Sequence, residues 1–216
     1  MDNISLKELK HELLQNKDLF ILDFRPFEEF DQAFIPGSIY IGDQLSRYHQ
    51  YLKMNPDQTI YIVSEEGEKS KLILNKLGLE KTRIVADNID VDSLSTARLL
   101  DLIITIEPDE LAMDLPFDEK ARIIDLRMEE SYQAAHIKGA ENIPLAEFAD
   151  IGTIAEIEEH ENIYLFSNES DASFAGSLIK KQGLHNFRKI KGSMEAISDT
   201  KKIKIKKESQ KDIIED

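Results

Sequence analysis

Short apolar runs recur along the chain, each followed by a polar loop and then by a segment with apolar positions at helical spacing. "FILDF" (residues 20–24), "TIYIV" (59–63) and "TRIVA" (82–86) are too short for helices. They are apolar on both faces, as strands buried inside a parallel sheet are. "RIIDL" (122–126), "NIYLF" (162–166) and "FRKIK" (187–191) read the same way. Between them, "KSKLILNKLG" predicts a helix that stops at Gly78, and "SFAGSLIKKQG" one that stops at Gly183, each closed by a C-terminal glycine. Near the start, Ser5 and Glu8 form a Ser-x-x-Glu capping box ahead of a helix with Leu6, Leu9 and Leu13 on one face.

The pattern repeats. "FILDFRPFEEFDQAFIPGSIYI" (20–41) aligns with "RIIDLRMEESYQAAHIKGAENI" (122–143), pairing Asp23 with Asp125, Arg25 with Arg127, Phe30 with Tyr132 and Gly37 with Gly139 at a constant offset. "IYIVSEEGEKSK" (60–71) aligns with "IYLFSNESDASF" (163–174), and "KLGL" (76–79) with "KQGL" (181–184). Two copies of one unit are expected. The expected fold is α/β, two domains each with a mostly parallel central sheet flanked by helices. The expected bounds are 1–98 and 99–200, with a charged tail over 201–216. The boundary region near 92–102 is leucine-rich and should pack as a helix. The tail, "KKIKIKKESQKDIIED", reads as a solvated, partly frayed terminus. The alternation around Ile203 and Ile205 leaves open an added edge strand or docking on the acidic body.

Composition narrows the chemistry. Of the 216 residues, 41% are hydrophobic, enough for a core, and no apolar run reaches the roughly 20 residues that span a bilayer. The N-terminus shows no basic-then-apolar leader, so a cytoplasmic protein is expected. A net charge of −15 argues against nucleic acid as a partner and, more weakly, against small anionic substrates. There is no cysteine, which removes disulfides, thiolate metal sites and cysteine nucleophiles. The five histidines (His11, His49, His136, His160 and His185) have no metal-ligand spacing, and no Gly-x-Ser-x-Gly elbow is present. No metal and no cofactor are expected.

Each "IY" strand ends on a serine, Ser64 or Ser167, which enters a polar loop leading into a helix. That is a place to hold a reactive atom above the end of a sheet. The first loop carries Glu65, Glu66, Gly67 and Glu68; the second carries Asn168, Glu169, Ser170 and Asp171. Asp23, Arg25, Asp125 and Arg127 recur where a strand turns into a helix. A structural role is expected for them, each arginine pairing with a nearby acid such as Glu29.

The strand-Asp-x-Arg start, the Glu-Phe or Tyr positions, the "AFIPGSI" and "AHIKGAENIP" turns and the closing "RKIKGSMEAI" (188–197) together resemble the rhodanese-like domain, twice over and in order. The resemblance reaches from the N-terminus to about residue 198. It implies a loop that opens with a cysteine, whose thiolate takes sulfur from an anionic donor and passes it on. The matching positions hold Ser64 and Ser167. A thiol ionises near pH 8.5, whereas a hydroxyl needs a general base and forms no persulfide analogue. The family's histidine is matched by Phe34 in the first copy and His136 in the second, and its glutamate by Glu29 but not by Ser131.

The expectation is therefore a catalytically inactive tandem protein acting as a binding or regulatory module, with a protein partner of unknown identity, no nucleic acid and no membrane. The alternative is a sulfurtransferase, should Ser64 or Ser167 replace a native cysteine. The loop acids are expected to repel anions. The second loop, with fewer acids, should be the easier to revive by Ser167→Cys, aided by Glu169→Arg.

Overall fold

A computed structural model describes residues 3–16, 18–157 and 161–207. The chain divides into two compact units between Ile103 and Ile104.

In the first unit β1 (Asn3–Ile4) leads into α1 (Leu6–Gln15), then β2 (Phe20–Asp23), α2 (Phe27–Gln32), β3 (Ser38–Tyr40), α3 (Leu45–Tyr48), β4 (Ile60–Val63), α4 (Gly67–Lys76), β5 (Thr82–Val85) and α5 (Val91–Ala97). The strands form one parallel sheet in the order β1-β5-β4-β2-β3, so β4 is central. The Ser5–Glu8 capping box is present, and Leu6 and Leu9 are buried under α1. They pack with Ile21, Tyr61, Val63 and Val85 on one side of the sheet.

The second unit repeats the plan: β6 (Thr105–Ile106), α6 (Pro108–Asp114), β7 (Ala121–Asp125), α7 (Glu129–Ala134), β8 (His136–Ile137), β9 (Glu141–Asn142), α8 (Leu145–Phe148), α9 (Ile151–Ala155), β10 (Asn162–Phe166), α10 (Glu169–Lys181), β11 (Phe187–Ile190), α11 (Met194–Asp199) and β12 (Ile205–Lys206). Its parallel sheet runs β6-β11-β10-β7-β9, with β10 central.

Both units close with the same return of chain. In the first, Phe34 and Asp101 exchange two backbone hydrogen bonds of 2.9 Å. In the second, β12 pairs antiparallel with β8, setting Ile205 against Ile137 and Lys206 against His136. Residues 99–103 therefore pack in the first unit, with Leu99 and Ile103 buried, although the sequence pattern set them with the second domain.

The start of the lysine-rich tail is the matching piece of the second unit. Ile203 is buried in its core, and Lys202 pairs with Asp109 at 3.0 Å. The reading of this stretch as a frayed terminus gives way here, because two buried or half-buried isoleucines hold the backbone in a ladder. Residues 208–216 lie outside the described residues, as does His160.

Among the described residues no helix is long and apolar enough to cross a membrane.

Candidate functional site

The central strand of each unit carries its serine just past the C-terminal end, where open parallel sheets hold ligands. In the first unit Asp23 lies in register with Val63, and the Phe24 N–H donates to the Val63 carbonyl at 2.8 Å. Ser64 follows directly. In the second, Asp125 lies beside Phe166, the Leu126 N–H donates to the Phe166 carbonyl at 2.8 Å, and Ser167 follows.

The recurring Asp-x-Arg pairs stand behind these loops. Asp23 accepts from the Arg25 backbone N–H at 3.1 Å and from Nη2 at 2.6 Å, and Arg25 also donates to the carbonyls of Ala33 and Ile89. Arg25 thus takes Asp23 as its carboxylate, two residues away and inside the same turn. Burial pushes the Asp23 carboxyl up from its ordinary range, and the Arg25 hydrogen bonds and charge pull against that. Asp125 and Arg127 repeat the geometry with a 2.6 Å contact and a donor bond to the Ala135 carbonyl. The Arg127 guanidinium keeps some opening to solvent and lies 4.8 Å from the Phe166 ring centre.

The turn that follows is built on ring stacking in both units. Phe30 and Phe34 stack at 4.3 Å, and Tyr132 and His136 at 3.8 Å. Nδ1 of His136 is 2.8 Å from the Tyr132 carbonyl. Phe34 therefore fills the place of His136 with an apolar partner to match.

The two loops differ. Ser64 is half-buried; its Oγ accepts from the Glu66 N–H at 3.1 Å and from the Ser70 hydroxyl at 3.0 Å. Glu65, Glu66 and Glu68 are exposed, and Glu66 pairs with Lys69 at 2.6 Å in solvent. Gly67 opens α4. A Cβ there would come within 2.6 Å of the Ile84 side chain, so the helix rests directly on β5.

Ser167 is buried, 4% exposed. Asn168 caps α10 through Oδ1, which accepts from the Asp171 N–H, and its Nδ2 donates to the buried Asp171 carboxylate at 2.7 Å. Glu169 is tied at both oxygens: Oε2 pairs with Lys189 Nζ at 2.8 Å, and Oε1 accepts from the Gly192 N–H at 3.0 Å. Lys189 is 1% exposed and also donates to Ser173 Oγ at 3.1 Å. Ser170 is half-buried on the first turn of α10.

The loop acids are therefore not a row of bare charges. Glu66, Glu169 and Asp171 each have partners. Glu169→Arg would set a guanidinium against buried Lys189 rather than relieve repulsion. Lys189 itself carried no sequence signal beyond a lysine inside an apolar strand; the register of β11 on β10, Lys189 against Leu165, places it under α10.

Of the described histidines, His11 pairs with Gln15, and His49 and His136 with carbonyls one turn back. None of these three is placed as a base for either serine. No group of three or more His, Asp or Glu positioned for a metal ion occurs among the described residues.

A second recurrence lies at the opposite end of the central strands. Tyr61 donates to Glu12, which also pairs with Arg83 at 2.5 Å; Tyr164 donates to Asp118 at 3.0 Å, with Arg188 over its ring. Burial, then the carboxylate partner, pushes the Tyr61 phenol up, and the same two causes push Tyr164 up to about 12.

This duplicated architecture is that of a known class. The family model for the rhodanese-like domain matches residues 5–90 and 107–200, and the chain belongs to that family. Over 83 residues it is 32% identical to YrkF of Bacillus subtilis, provisionally described as a sulfur carrier protein; the match covers 36% of this chain and 43% of YrkF. The chain is also similar to a thiosulfate sulfurtransferase from Pseudomonas aeruginosa (17% identity, 91% of this chain and 44% of that one, TM-score 0.39). A further match is the 3-mercaptopyruvate sulfotransferase SseA from Escherichia coli (13% identity, 89% of this chain and 98% of that one, TM-score 0.38).

Proposed function

We propose that the chain is a catalytically inactive tandem rhodanese-like protein that acts as a binding or regulatory module. The observation that carries this reading is a serine at the strand end of both units, in a chain with no cysteine. Sulfur transfer in this family needs a sulfur atom that ionises near neutral pH and holds a second sulfur. Serine oxygen does neither, and among the described residues no histidine or carboxylate is hydrogen-bonded to either hydroxyl to activate it. A carrier role of the kind provisionally given to YrkF needs a thiol that neither unit supplies.

The surroundings of the serines support the same reading. Ser64 is engaged by Glu66 and Ser70, and the amides that would greet an anion are in part taken by Ser64 and Asn168. The second unit's strand end is closed further by Glu169 and Lys189.

The test is sulfur transfer from thiosulfate to cyanide or to a thiol. We expect the buffer rate. Turnover that survives repurification and disappears in the Ser64→Ala/Ser167→Ala double variant would overturn the proposal in favour of a sulfurtransferase.

A further inference from the structure

We propose that the outward face of α4 on one molecule docks on the acidic, Met113- and Phe117-bearing face of α6 on a second copy of the chain. Lys69, Leu72, Ile73 and Lys76 follow the i, i+3, i+4, i+7 spacing of one helix face, with Leu77 beside them. Leu72 is 62% exposed, and Ile73 and Leu77 are exposed as well. An amphipathic helix ordinarily turns such residues inward. Here only Ser70 and Leu74 of α4 are buried. From Lys69 to Lys76 the helix carries three lysines and no acid, on a chain whose net charge is −15.

The complementary face belongs to the same chain. Glu110, Met113, Asp114 and Phe117 share the i, i+3, i+4, i+7 spacing on α6 and the turn that continues it. Met113 is exposed, and Phe117 is 88% exposed. Residues 107–119 hold six acids and neither lysine nor arginine. Two of them make exposed ion pairs, Glu107 with Lys191 and Asp109 with Lys202, the weak kind that yields easily to a partner. Each face thus presents two or three apolar side chains with charges of one sign, and the signs are opposite. A large apolar anchor ringed by complementary charge is the arrangement that carries binding energy at interfaces.

The contact joins two different patches, so it is either made twice in a closed reciprocal dimer or repeated from molecule to molecule.

The experiment is sedimentation velocity on the full chain, from about 10 to 200 µM at low salt and again at about 1 M salt, where charges are screened beyond roughly 3 Å. The weight-average mass should rise with concentration to that of a dimer or beyond, and the rise should shrink at high salt. Leu72→Ser and Phe117→Ser change exposed side chains and should leave the fold and its circular dichroism unchanged. Each variant alone should be monomeric. An equimolar mixture should stop at a heterodimer, because one variant keeps an intact α6 face and the other an intact α4 face. A wild-type chain that stays monomeric throughout would overturn the proposal. So would either variant associating like wild type, as would monomeric variants whose mixture stays monomeric.

Discussion

Beneath the first turn of α4 lies Ile84; beneath that of α10 lies Lys189. The two residues hold the same register position, Ile84 against Ile62 of β4 and Lys189 against Leu165 of β10. In the first unit the contact is steric, and the helix opens on Gly67 because no side chain fits over Ile84. In the second the contact is ionic, and α10 opens on Glu169, which closes over the lysine and reaches the Gly192 amide. The first loop is left open to solvent with its acids exposed, and α4 shows an apolar face. The second is tied down at both ends, and α10 buries eight residues, Phe174 and Ile179 among them. One backbone plan therefore supports two kinds of strand-end loop. The difference is set by what a single strand position puts beneath the helix.

The largest expected effects come from the Asp-x-Arg pairs. Asp23→Ala leaves Arg25 charged, buried and held only by two carbonyls, which should cost about 3–5 kcal/mol. Asp125→Ala should cost less, roughly 2–3 kcal/mol, because Arg127 keeps an opening to water and the Phe166 ring. Urea unfolding followed by far-ultraviolet circular dichroism measures both. A larger loss from Asp125→Ala would break the comparison.

Next come the loop acids. Glu169→Ala takes a carboxylate away from Lys189 in the interior, where Ser173 remains a hydrogen-bond partner. With the carboxylate end 28% exposed, the loss should be roughly 2–3 kcal/mol, below that of a fully buried pair. Glu66→Ala removes a surface pair whose side chains are both about two-thirds exposed, and it should cost no more than about 1 kcal/mol. Adding Lys189→Met to Glu169→Ala should recover much of the stability, since an apolar side chain there needs no counter-charge, as Ile84 already shows. Equal losses from Glu169→Ala and Glu66→Ala would mean that the buried lysine is solvated by other means.

The tyrosines at the far end of the central strands give the third contrast. Folding raises the pKa of Tyr61 and Tyr164, the latter to about 12, so the folded state holds these protons more tightly than the unfolded chain. Their stabilising contribution is complete below about pH 10, the unfolded tyrosine value, and is lost as pH rises towards 12. Absorbance at 295 nm should therefore show Tyr61 and Tyr164 ionising late. Tyr164→Phe should remove one of the two. If every tyrosine titrated near pH 10, neither carboxylate clasp would hold in solution.

Much of this was legible in the sequence. The constant offset from Asp23 to Asp125 fixed the repeat, and the apolar runs ending at Val63 and Phe166 located the central strands. The two- and three-residue strands β1, β3, β6, β8 and β9 were not legible, because none completes two periods of an alternating pattern, and β12 showed only as the alternation around Ile203 and Ile205. Their positions come from pairing, as with Ile205 against Ile137. The candidate serines were visible as strand-end residues. The Glu169–Lys189 pair was not, since it joins residues 20 apart through the stacking of a helix on a strand, and counting acids along the loop treats Glu169 as a charge without its lysine.

The smallest expected effect tests the loops directly. In Ser64→Cys the sulfur replaces a half-exposed oxygen beside Glu65, Glu66 and Glu68, whose charges oppose thiolate formation. In Ser167→Cys burial opposes it instead, and also limits access. Counting acids favours the second loop for revival; burial favours the first. Iodoacetamide should therefore modify Ser64→Cys about tenfold faster than Ser167→Cys at the same pH, with both thiols at or above the ordinary pKa of about 8.5. Sulfur transfer should stay near background in both. Adding Glu169→Arg to Ser167→Cys should lower stability rather than restore activity, because the new guanidinium faces Lys189. A fast, low-pKa thiol at position 167 would mean that the amides at the head of α10 still favour an anion despite Asn168 and Glu169. The second unit would then have lost its nucleophile alone, while the first would remain the one whose loop is also unsuited to the chemistry.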